Sequence, residues 1–162
     1  MTQDQRAMIK AILWGGLVGG TIDIFSASLI SLLSPLLIMR FIAAGLLGPD
    51  VIKGGLDISF IGLLLQWLMG LIIAAIYVLA ATRLAWMHRD WRVTGVAYGV
   101  PVYFVMTYVV LPLSALHHWT PFNLKGFLLN MAAMMLFGLI IAYANSRLVA
   151  GPVRTAKASV AA

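Results

Sequence analysis

Few side chains in this sequence could do chemistry, and the one in the least expected place is Asp23. It is the only charged residue between Lys10 and Arg40, inside an otherwise apolar stretch. An ionised carboxylate about a dozen residues into a membrane span costs several kcal/mol, so it must be paired, protonated or facing water. The residues Gly16, Gly20, Asp23, Ala27, Ser31 and Ser34 recur at helical spacing, which turns the aspartate toward a helix-bundle interior. At matching depth stand Gln66, Tyr103, Thr107 and Asn130, which makes these four and Asp23 the candidate intramembrane polar site. Two roles fit. One is a proton- or cation-coupled site; the other is a hydrogen-bonded polar knot that fixes helix register. No lysine, arginine or histidine within the apolar runs completes a relay.

The remaining candidates are weaker. His117 and His118 are adjacent, so on a helix they point in different directions, and the chain has no cysteine to complete a metal set. Next to Trp119 they read better as interfacial anchors than as ligands, and no metal or other cofactor is expected. Phosphate loops, nucleophile elbows and paired carboxylates on one span are absent, so the chain reads as non-enzymatic.

The elements that must position Asp23 follow from composition. Of 162 residues, 62% are hydrophobic and 10% charged, against about a quarter charged in soluble domains. The net charge of +6 does not form a patch for nucleic acid; the basic residues lie between apolar runs. A span needs roughly 20 apolar residues. Four runs satisfy that, at about 11–34, 58–82, 93–116 and 126–146, and none alternates as a barrel strand would. They predict an all-α, four-helix transmembrane bundle in one domain, 1–150, with a polar disordered tail at 151–162. The apolar run continues past Ser28 to Met39, so the first span reads as a span and not as a cleaved signal.

Arg6, Lys10, Arg83, Arg89, Arg92, Arg147, Arg154 and Lys157 fall on one side; only Arg40, Lys53 and Lys125 fall on the other. That asymmetry predicts cytoplasmic termini and a cytoplasmic middle loop. Pro35 to Pro49 is apolar but too short to cross, and predicts a short interfacial helix at about 35–47, opened by Pro35 and closed at Gly48-Pro49. Pro101 and Pro112 should kink or end the third span.

Arg83 and Arg147 close the second and fourth spans in similar surroundings, at an offset of 64 that sets Gln66 opposite Asn130. Gly16 and Gly20 match Gly95 and Gly99 at an offset of 79, and the difference, 15, is the length of the Pro35–Pro49 segment. Two parallel-oriented helical hairpins, the first carrying an insertion, account for both. Gly16-x-x-x-Gly20 and Gly95-x-x-x-Gly99 predict close helix packing, with the first span crossing the third; homodimerisation is the competing use, which Gly15-x-x-x-Gly19 also serves.

From Gln66 to Arg147 the pattern resembles the YagU-like family of small bacterial inner-membrane proteins. The resemblance is carried by Trp91-x-x-x-Gly95-x-x-x-Gly99 and Leu111-Pro112-Leu113. Gln66 and Asn130 fall where that family tends to place histidine, and the connector after the first span is shorter here. The resemblance implies an inner-membrane location without an established activity. Three functions are therefore carried forward. The first is a structural, accessory or oligomeric membrane component, with a second copy or another membrane protein as partner. The second is a small ion-coupled transporter or channel centred on Asp23, and the third a lipid- or quinone-binding protein.

Overall fold

The structure, a computed structural model, describes residues 2–88, 90–116 and 123–149. Among them it is all-helical, and four helical stretches are long and apolar enough to cross a membrane. The helices are α1 (Gln3–Ser31), α2 (Pro35–Leu47), α3 (Leu56–Arg83), α4 (Trp91–Val105), α5 (Leu111–Leu113) and α6 (Leu124–Leu148). A π-helical turn, Met106–Val110, joins α4 to α5, so that Trp91–Leu113 is one continuous apolar stretch. His117, His118, Trp119 and the 151–162 tail lie outside the described residues.

Local chemistry explains the boundaries. α1 starts eight residues before the apolar run because Thr2 and Gln5 form a capping box: the Gln5 N–H donates to Thr2 Oγ1 at 3.3 Å and the Thr2 N–H to Gln5 Oε1 at 3.0 Å. It ends at Ser31 because Leu32 takes a left-handed conformation, φ 57°. Ser34 then caps α2 with Pro35 in its first turn, and Gly48 at φ 95° closes it. Asp90 caps α4 by accepting from the Arg92 N–H at 2.8 Å. Pro101 sits inside α4 without ending it; the irregular turn comes just before Pro112, whose ring would clash with the carbonyl four residues back in regular α geometry.

α1 packs on α3 and on α6, α6 packs on α4, and α2 packs on α3. The expected crossing of the first and third spans is not seen, because α1 and α4 share no extended interface. Their glycines face other partners. A Cβ on Gly16 would lie 2.8 Å from Leu71 Cα and 2.9 Å from Gly70 O, so α1 and α3 touch backbone to backbone. On Gly95 it would lie 2.8 Å from Leu139 Cα and 3.0 Å from Gly138 O, so α4 and α6 do the same. Gly20 faces the Gln66 carbonyl and Gly99 the Met134 carbonyl. Gly15 and Gly19, the candidate dimer surface, are covered by Ile141 and Phe137 of α6. All six glycines are buried within the chain and present no face to a second copy.

α3 and α4 meet through long side chains. Tyr98 Oη donates to Ile73 O at 2.8 Å, and the Tyr77 and Tyr98 rings meet edge-to-face at 5.0 Å. The Thr94 hydroxyl donates to Asp90 O, so Tyr77 Oη is the donor in its 2.9 Å contact with Thr94 Oγ1. Ala11, Ala74, Tyr77, Val78, Phe137, Ile141 and Ala142 belong to one buried hydrophobic core at this end of the helices. At the other end α2 bridges the gap. Gly62 of α3 lets the Met39 backbone approach, Arg40 Nε donates to the buried Ser59 hydroxyl at 3.1 Å, and the Ala115 N–H donates to Gly45 O at 2.8 Å. The short helix is thus tied to α3 through Met39 and Arg40, and to the residues after α5 through Gly45.

Candidate functional site

Between α2, α3 and the π turn lies a cavity of about 750 Å³, within the range typical of small-molecule sites. α2 contributes Phe41, Ile42 and Leu46, α3 contributes Leu65, Gln66 and Met69, and the irregular stretch contributes Met106, Val109, Val110 and Leu113. Why it stays open follows from the elements around it. The tyrosine contacts close the α3–α4 seam only around Ile73, Tyr77, Thr94 and Tyr98, and the widened turn at Met106–Val110 carries α4 on toward Pro112. π turns recur at functional sites, and here one supplies wall residues directly.

Among the described residues, Gln66 and Ser114 are the only polar side chains lining the cavity. Gln66 Nε2 donates to Asp23 Oδ2 at 2.8 Å and lies 3.4 Å from Gly20 O. Both acceptors face the same nitrogen, which fixes how the amide is turned. Asp23 therefore has a partner, and that partner is neutral. Its carboxylate is not among the residues lining the cavity. Beside this pair, Trp67 Nε1 donates to Thr21 Oγ1 at 3.0 Å, and the Thr21 hydroxyl donates in turn to Leu17 O. That bond gives a place to an indole which the sequence sets deep in the second span.

Of the five candidate polar residues, the structure joins Asp23 and Gln66 alone. Tyr103 is buried against Phe104 and Phe127, with ring centroids 5.6 and 5.4 Å away. Thr107 lies in the π turn. Asn130 is exposed, and its Nδ2 donates to Gly126 O one turn back on its own helix at 2.8 Å. The offset of 64 that set Asn130 opposite Gln66 is displaced by one helical turn. In the observed contacts Gly70 corresponds to Gly138, Leu71 to Leu139 and Gln66 to Met134, an offset of 68. The sequence also gave no signal for Phe41, Ile42, Met69 or Val109, since apolar residues that line a cavity and apolar residues that face lipid are of the same kind.

Arranged in this way, the residues can hold an apolar molecule against one oriented polar edge. They do not assemble an acid, a base and a nucleophile in one place. Compared with family models, curated proteins and solved structures, the chain matches none, so no relative bears on the resemblance to the YagU-like family.

Proposed function

We propose that this protein is a non-enzymatic, four-span protein of the bacterial inner membrane that binds a hydrophobic small molecule, of the lipid or quinone class, within the bilayer. The observation that carries this reading is the cavity beneath α2. It is largely apolar, it reaches from the short helix inward to Gln66, and its only polar side chains among the described residues are Gln66 and Ser114. In a bilayer such a space is filled by an apolar molecule, because water there would lack partners. Both termini lie in the cytoplasm in this reading, supported by the eight-to-three distribution of lysine and arginine. The chain is two parallel-oriented hairpins, α1–α3 and α4–α6, supported by the matched backbone contacts Gly16–Gly70 and Gly95–Gly138.

The other two functions have less support. A glycine-mediated oligomer needs glycine faces that α3 and α6 already cover. A transporter centred on Asp23 needs a polar cavity lined by Asp23, Gln66, Tyr103 and Asn130, and of these four Gln66 alone lines the cavity described above.

Native mass spectrometry of protein extracted in gentle detergent tests the reading. Wild type should carry a bound apolar molecule that Met69→Trp, which fills the cavity, releases. A bare chain in both samples would contradict it.

A further inference from the structure

The two polar side chains among the described residues of the cavity wall both have their protons engaged elsewhere. Gln66 has two amide protons, and the acceptors that meet its nitrogen are Asp23 Oδ2 at 2.8 Å and Gly20 O at 3.4 Å. Its Oε1 has no hydrogen-bond partner among the described residues, and Gln66 stands in the cavity wall. The other polar side chain there, Ser114, donates its hydroxyl proton to Leu111 O at 2.6 Å, which leaves only oxygen lone pairs. Among the described residues, the cavity thus meets an occupant with side-chain acceptors and no side-chain donor.

We infer, resting on the proposal that the cavity holds a hydrophobic ligand, that this ligand is an apolar chain bearing a hydroxyl group, which donates to Gln66 Oε1. Quinols and long-chain alcohols belong to this class. Quinones, esters and ethers offer only acceptors and leave Gln66 Oε1 unpaired beside them. Asp23 is here a positioning residue: it touches Gln66 and not the ligand, and its acceptor oxygen keeps the amide nitrogen turned away from the cavity. This gives the polar pair a purpose that helix packing does not require. A site built to pair with a hydroxyl discriminates against an analogue that lacks the proton, because its own polar group is then stranded.

The test is equilibrium binding of radiolabelled farnesol to the full chain in detergent micelles, with unlabelled farnesol, farnesyl methyl ether and dioctanoylglycerol as competitors. The alcohol and its ether share one apolar chain and differ only in the proton. Farnesol should compete about tenfold better than the ether in wild type. In Gln66→Met the two should compete equally, and Met69→Trp should bind neither. Competition by dioctanoylglycerol equal to that of farnesol would assign the hydroxyl to a two-chain lipid, and its failure to a one-chain alcohol. Equal competition by farnesol and its ether in wild type would overturn the hydroxyl inference and leave the cavity as a binding site. No saturable binding of either would overturn the cavity reading itself. The wild-type ratio decides the matter even if Gln66→Met does not fold.

Discussion

The two helical hairpins use the same backbone contacts and different chemistry. α1 meets α3 where Gly16 lies on Gly70, and α4 meets α6 where Gly95 lies on Gly138. One turn on, Gly20 faces the Gln66 carbonyl and Gly99 faces the Met134 carbonyl. In that register Thr21, Asp23, Gln66 and Trp67 of the first pair correspond to Val100, Val102, Met134 and Met135 of the second. The second hairpin packs without a polar side chain at any of these positions. Helix association in lipid rests on dispersion between closely approaching backbones, and at these positions the second pair has only valine and methionine beside its glycines. The hydrogen bonds of the first pair have no counterpart at these positions of the second. They are found where the cavity begins.

The largest effects should come from filling the shared contacts. Gly70→Val and Gly138→Val each place a branched side chain against a facing backbone, Gly16 or Gly95, and should each destabilise by about 3 kcal/mol. Thermal unfolding in detergent measures this, and a large inequality between the two would break the equivalence of the hairpins. A methyl group sharpens the comparison. Gly99→Ala meets the Met134 carbonyl at once and should cost about 2 kcal/mol, whereas Gly20→Ala has 3.4 Å to its nearest neighbour and should be nearly neutral. The first hairpin is looser at the level of its polar pair, and the two melting points report it. A smaller effect is expected at the seam joining the hairpins. Tyr77→Phe leaves Thr94 without its buried donor and should cost about 1 kcal/mol, with Thr94→Val adding little once Tyr77 is gone.

Much of this architecture is legible in the sequence. Pro35 in the first turn of α2 and Gly48 at its end mark that helix, and the absence of charge marks the long ones. Asp23 and Gln66 are recognisable as residues at one depth, and the structure bonds them. What periodicity does not carry is the order of helices around an interior. Gly16 and Gly95 plainly need a close neighbour, but their spacing says nothing about which helix supplies it: α3 lies on Gly16 where the third span was expected, and α6 on Gly95 where the first was. Asn130 was misplaced for a related reason. Similar arginine-bearing ends set a register one turn away from the one the glycines enforce, and on a helix a turn alters both depth and facing. The cavity had no signature, since its walls differ from lipid-facing surface only in what stands opposite.

The central claim is that the Asp23–Gln66 pair serves the cavity and is not needed to hold the helices. Replacing it with its counterparts from the second hairpin, as the double variant Asp23→Val with Gln66→Met, tests this directly. Exchanging a buried polar pair for apolar residues is often neutral or stabilising by about 1–4 kcal/mol. The expected result is a folded protein melting at or above the wild-type temperature, which has lost its preference for farnesol over the methyl ether. A variant that fails to fold would show the pair to be a structural knot, and one that folds with the preference intact would remove Gln66 from recognition.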